Sequence, residues 1–201
     1  MKKYELTSET ITIANGKTLY RIRALIDIKA YGVKIGDLGG YIEREENLSH
    51  YGDAWISDNA WVSGNARIFD NALVVGDAWV VGNASISGKA EIEGVTRVFD
   101  NAMVSGNARV FDSAFVYGDA NISGNAWVSG TAEVYGNARI FDDAWIFDDA
   151  SVCGNAKVYG DAWISGYAFV YGNAEVYGDA RISGDDEVSG GTNKVPFEEK
   201  G

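Results

Sequence analysis

Cysteine, proline and histidine each occur once in the 201 residues, as Cys153, Pro196 and His50. A single cysteine forms no internal disulfide, so nothing in the chain calls for an oxidising compartment. A single histidine takes the commonest acid–base and metal-binding side chain out of nearly the whole sequence. No run approaches the roughly 18 apolar residues of a membrane helix, and the opening segment is polar, so a cytoplasmic protein with no membrane contact is expected. Basic charge is scarce as well. The net charge is −12; residues 1–53 carry eight basic and eight acidic side chains, whereas residues 54–190 carry seven against nineteen. An acidic surface repels phosphate backbones, so no direct contact with nucleic acid is expected.

The abundant residues are Gly, Ala, Asn, Asp and Val, and they recur in order. From residue 54 the sequence divides into hexads without insertion: Ala-Trp-Ile-Ser-Asp-Asn (54–59), Ala-Trp-Val-Ser-Gly-Asn (60–65), and so on to Ala-Arg-Ile-Ser-Gly-Asp (180–185), 22 in all. The first position is Ala except at Thr96, and the third is always Ile or Val. Alternation of a small and a branched residue predicts a short strand with positions one and three inward and positions two and four outward. Positions five and six, Gly or Asp then mostly Asn or Asp, suit a tight corner because these residues tolerate left-handed backbone. Three such sides close a coil of about 18 residues, and stacked coils pair in parallel at about 4.8 Å. About seven coils are expected.

The hexads resemble those of the left-handed parallel β-helix family, as in Ala126-Trp127-Val128 and Ala174-Glu175-Val176. Gly follows the aliphatic residue by two places, as in Val134-Tyr135-Gly136-Asn137, which is similar to the YdcK-like, Gly-Asn-Ala-rich subset common in bacterial and phage genomes. The stretch Gly36-Asp37-Leu38-Gly39-Gly40-Tyr41-Ile42-Glu43, followed by Glu46-Asn47-Leu48-Ser49, resembles the lead-in of phage and prophage members. The resemblance implies an all-β, left-handed triangular solenoid. It does not imply one activity.

Ahead of the hexads, Tyr4–Ile13 and Thr18–Ile26 alternate as strands around Asn15-Gly16, a hairpin signal. Residues 1–47 are therefore expected to form a β-rich cap over the first coil, residues 48–190 the solenoid, and residues 191–201, with Pro196 and Phe197, a tail or second cap.

Many left-handed β-helix proteins are acyltransferases that use a histidine beside an extruded loop. Here His50 precedes the regular coils and no loop interrupts residues 54–185, so a non-enzymatic protein without cofactor is expected. Cys153, at an outward fourth position, reads as a tolerated surface residue rather than a nucleophile. Asp143, Asp161 and Asp179, spaced by 18 with Asp142 beside the first, could stack and hold a hard cation, but they read as turn residues, with no metal site.

Folded at 18 residues, the outward positions fall on three faces. One brings together Arg109, Phe111, Trp127, Trp145, Phe147 and Trp163, beginning at Trp55. The next carries Trp61, Trp79, Phe115 and Phe169, with Phe99, Tyr117, Tyr135 and Tyr171. The third, with Arg67, Arg139 and several serines, has no tryptophan. Contiguous aromatic faces are seldom left in water, so a homo-oligomer, dimer or trimer, or a docked partner is expected. The primary expectation is a phage- or prophage-encoded binding protein acting in the bacterial host cytoplasm, inhibiting a host defence protein. Equally, it could hold a small nucleotide-like ligand between aromatic rings with Arg97, Arg109 or Arg139 on its phosphate. The alternatives are a self-assembling structural solenoid, an acidic mimic of nucleic acid and an acyltransferase-like enzyme.

Overall fold

The computed structural model describes residues 2–190 and the short strand Thr192–Asn193. The expectation for the tail, Pro196 and Phe197 included, otherwise lies outside the described residues. Each hexad contributes one strand at its second and third positions, such as Trp127–Val128 and Trp145–Ile146, extended by one residue only at Phe169–Tyr171. Strands 18 residues apart pair in parallel, so that Trp127 lies beside Trp145 and Trp145 beside Trp163. The pairing is made by bonds such as the Trp127 N–H donated to the Ala144 carbonyl at 2.9 Å.

Three parallel walls result. The first runs from Trp55–Ile56 to Arg181–Ile182 in eight strands, the third from Arg67–Ile68 to Thr192–Asn193 in eight, and the second from Trp61–Val62 to Glu187–Ser189. The protein is an all-β parallel solenoid of about eight turns. The hexads alone suggest about seven, because they leave out the rungs that the cap adds in front and the strands that follow residue 185. Among the described residues no helix is long and apolar enough to cross a membrane.

The repeat explains the core. Every third-position Ile or Val and every first-position Ala of the 22 hexads is almost fully buried. Each branched side chain so buried stabilises the coil by about 1.5 to 3 kcal/mol. Thr96, the one first-position residue that is not Ala, donates its hydroxyl to the Glu93 carbonyl at 2.6 Å and thereby satisfies its polar atom inside the vertex.

Corners divide their work between two positions. The left-handed step is confined to position five, with φ of 57° at Asp70 and 69° at Gly64. The Asn at position six is not left-handed, contrary to the shared role that the sequence suggests. Its side chain instead donates to the residue one coil on, in chains such as Asn65, Asn83, Asn101 and Asp119, with 2.9 Å at each step.

The cap consists of β1 (Tyr4–Thr12), β2 (Thr18–Ala24) and β3 (Leu38–Ile42). β1 and β2 pair antiparallel around the expected Asn15-Gly16 turn. β3 changes the direction of pairing: it is antiparallel to β2 yet parallel to Trp61–Val62, and so founds the second wall. Leu48 then bridges to Ile68 as the first rung of the third. Such close contact needs glycine. A Cβ on Gly40 would stand 2.3 Å from the Ala60 carbonyl oxygen, and one on Gly39 would stand 2.6 Å from that of Ile56.

Two outward assignments are corrected by packing. Trp55 is 1% exposed, because the loop between β2 and β3 lies over it, with the Tyr31 hydroxyl donating to the Asn71 carbonyl. Cys153 is 8% exposed rather than a surface residue, flanked along its column by the larger side chains of Tyr135 and Tyr171.

Candidate binding surface

Because rungs repeat at the spacing of stacked rings, outward aromatics of the first wall lie ring on ring. Trp127 and Trp145 stack with centroids 4.8 Å apart and planes 6° apart, and Trp145 and Trp163 at 5.1 Å and 5°. Phe111 meets Trp127 edge-on at 5.7 Å, and Phe147 meets Trp163 edge-on at 5.8 Å. Arg109 lies over the free face of Trp127 at 5.3 Å, held by Glu91 at 2.6 Å. Arg181 covers the opposite end, 4.3 Å over Trp163. All six residues expected on this face are thus brought together, and Arg181, eighteen residues beyond Trp163, is the second end-piece.

That closure decides what the stack can bind. Every tryptophan face is already covered, by another indole or by a guanidinium. A base could enter between two indoles only by parting two coils and their backbone bonds, so the expected nucleotide sandwich is not available between these rings. Nor do the three arginines proposed to hold its phosphate converge: Arg109 is on the first wall, Arg97 on the second and Arg139 on the third. What faces solvent is a row of half-buried ring edges.

The second wall is organised as two columns. Trp61 and Trp79 contact at 5.0 Å, and Arg97 is held between Trp79 at 4.6 Å and Phe115 at 5.2 Å. Beside them Phe99, Tyr117 and Tyr135 stack at 4.8 and 4.9 Å. Cys153 interrupts that column, so Phe169 and Tyr171 form a separate pair at 4.6 Å. Burial, together with the Glu133 carboxylate that accepts its hydroxyl at 3.1 Å, pushes Tyr117 up to about 12. Tyr135 is also raised, first by its hydrogen bond with the Cys153 side chain and then by burial. These hydroxyls stay protonated and fixed. The expected residues therefore form two surfaces on different walls, not one site.

The third wall carries an aromatic ladder that counting tryptophans missed. Phe141 stacks on Tyr159 at 4.7 Å, and Tyr159 on Tyr177 at 5.4 Å. All three occupy fourth positions spaced by 18, so the same folding of the sequence contains them. Among the described residues no group of three or more His, Cys, Asp or Glu could hold a metal ion. In the proposed Asp ladder, Asp143 accepts the amide of Asn125 at 2.9 Å and Asp142 accepts the N–H of Gly160, both turn-stabilising contacts.

His50 lies in the cap. Its ring stacks on Tyr4 at 4.3 Å and its Nδ1 accepts the Lys3 N–H at 3.2 Å, so it holds the first coil shut. Beside it the buried Lys3 ammonium donates to the Ala54 carbonyl at 2.6 Å.

A family model described as the YdcK β-solenoid repeat matches residues 66–82 and 104–118, which lie on successive rungs of these walls. Against curated proteins the sequence finds no match. The matched hexads are rungs of the three-walled parallel coil, so the chain is a parallel β-solenoid that is similar to YdcK-type repeats over these two stretches.

Proposed function

We propose that the protein is a non-enzymatic binding scaffold whose aromatic walls dock on the surface of a protein partner. The closed Trp79–Arg97–Phe115 cluster of the second wall carries this reading. It offers ring edges on a rigid plane, which suits a broad protein surface and not a small planar ligand. Engagement of His50 in the cap and burial of Cys153 support the absence of catalytic chemistry. On the resemblance of residues 36–49 to phage members, the partner is a host protein whose action is blocked. The second wall is the face for it, since Trp79 is 39% exposed beside Arg97 and Phe115, a pairing of aromatic and guanidinium common at binding hot spots.

Chemical cross-linking in the bacterial host, followed by reconstitution of the purified pair, tests the proposal. Complex formation is expected with the native chain and is expected to be lost with Trp79→Ser and Phe115→Ser together. In parallel, tryptophan fluorescence is titrated with nucleotides. A saturable nucleotide response, or a reconstituted complex indifferent to both substitutions, would overturn the reading.

A further inference from the structure

The loop around Tyr31 overhangs the rungs of Trp55 and Leu73, enclosing a recess of about 480 Å³ with Val33 and Leu38. Six rungs of the first wall stay open, from Glu91 to Arg181. Their midpoint falls between Trp127 and Trp145. Outward from it the second-position column reads Trp127, Arg109, Glu91 one way and Trp145, Trp163, Arg181 the other. The fourth-position column reads Ser129, Phe111, Glu93 and Phe147, Ser165, Ser183.

A two-fold axis through that midpoint, lying in the contact plane and parallel to the strands, inverts a second copy and lays each column on its own kind. Trp127 then meets Trp145 of the second copy, and Glu91 meets Arg181. Phe147 falls opposite Ser129 and Phe111 opposite Ser165, a large side chain against a small one each time. This is the self-complementarity that an isologous interface demands. The other face-to-face two-fold, with its axis along the solenoid, sets Glu91 against Glu93 and Arg181 against Ser183, so like charges meet and the Glu91–Arg181 pairing is lost.

We infer that the open rungs of the first wall form the interface of an antiparallel homodimer, centred between Trp127 and Trp145. The inference rests on the reading of the walls as contact surfaces, and it leaves the second wall for the heterologous partner. Six rungs at about 4.8 Å give a footprint roughly 30 Å tall, and at about 15 Å wide the two copies cover about 900 Å² in total, the size of weak, reversible complexes.

Sedimentation of the full chain across micromolar to millimolar concentration is expected to show reversible passage from 21.6 kDa to twice that mass. Ser129→Trp, which sets bulk against Phe147 of the second copy, is expected to raise the dissociation constant at least tenfold. Arg181→Glu should do the same, and Glu91→Arg added to Arg181→Glu should restore the dimer, which excludes misfolding as the cause. Spin labels on Ser183→Cys in a Cys153→Ser background fix the orientation. Antiparallel copies place the labels about 24 Å apart along the wall, whereas parallel copies bring them to about 10 Å. A chain that stays at 21.6 kDa throughout, a trimer, a dimer indifferent to Ser129→Trp, or the short label distance each overturns the inference. None of these outcomes bears on complex formation through Trp79 and Phe115, so the two readings fail separately.

Discussion

The carboxylate of Asp142 accepts a hydrogen bond from the backbone N–H of Gly160, one coil further on, at 3.3 Å. The same bond recurs from Asp58 to Gly76, Asp70 to Gly88, Asp100 to Gly118, Asp112 to Gly130 and Asp148 to Gly166. These are all six of the left-handed non-glycine residues among those described. Aspartate is tolerated in the left-handed corner where the next coil presents a glycine N–H to its side chain. The acidic charge of the repeat is therefore partly committed to turns, which weakens the case for mimicry of nucleic acid.

That relationship predicts an unusual order of substitutions at residue 142. Asp142→Gly should be nearly neutral, because glycine adopts φ of 58° without strain. Asp142→Ala loses the bond and keeps the Cβ, and should cost about 1 to 2 kcal/mol. Urea denaturation of the native chain and the two variants measures the order; an Asp142→Ala chain as stable as the native one would remove the carboxylate from the account.

At the junction of cap and coil the constraint is space. Gly40→Ala places a methyl group 2.3 Å from the Ala60 oxygen, where only backbone is available to move. β3 would have to part from Trp61–Val62, exposing the first rung's edge. The expected outcome is a loss of several kcal/mol and concentration-dependent aggregation, read by thermal melting and light scattering. Gly32→Ala provides the comparison, since its added Cβ meets nothing within 4 Å. It should stay soluble while paying only for its left-handed backbone. Similar behaviour of both variants would show that close approach is not what matters at residue 40.

The coil was legible in the sequence because six-residue sides impose a period that every position obeys. Trp127, Trp145 and Trp163 could be placed on one column from their numbers alone. What needed coordinates was contact between distant segments. Nothing in the hexad at 54–59 shows that Trp55 lies under a loop contributed by residues 28–37. Cys153 was read by its position rather than by its neighbours, and a small side chain between two tyrosines is buried by their size. The ladder of Phe141, Tyr159 and Tyr177 contains no tryptophan, yet the same arithmetic aligns its fourth positions. The Asn at position six looks like a turn former by composition, yet its contribution is a side-chain ladder that only the stacking of coils reveals.

The base of the cap should give stability a maximum on the alkaline side of neutrality. Burial lowers Lys3 from 10.5 to about 8, with Asp53 opposing the shift. Its folded value lies below its unfolded one, so its contribution is complete above about 10.5 and is lost as pH falls through about 8. Tyr4 behaves oppositely. Burial, then Glu45 and Glu46, raise it above the usual tyrosine value, so its contribution is complete below about 10 and declines as pH rises further. Stability should therefore climb from pH 8 toward 10, by on the order of 3 kcal/mol if Lys3 acts alone, and fall beyond. Unfolding by urea at intervals between pH 7 and 11 measures the curve. Lys3→Met keeps the length of the side chain and removes its proton, so the rise between pH 8 and 10 should vanish while the fall above 10 persists. Tyr4→Phe should leave the rise and lessen the fall without abolishing it, since Tyr117 and Tyr135 are raised as well. If the native chain shows no rise above pH 8, the buried Lys3 ammonium is not held at a cost, and the bond to the Ala54 carbonyl compensates its burial in full.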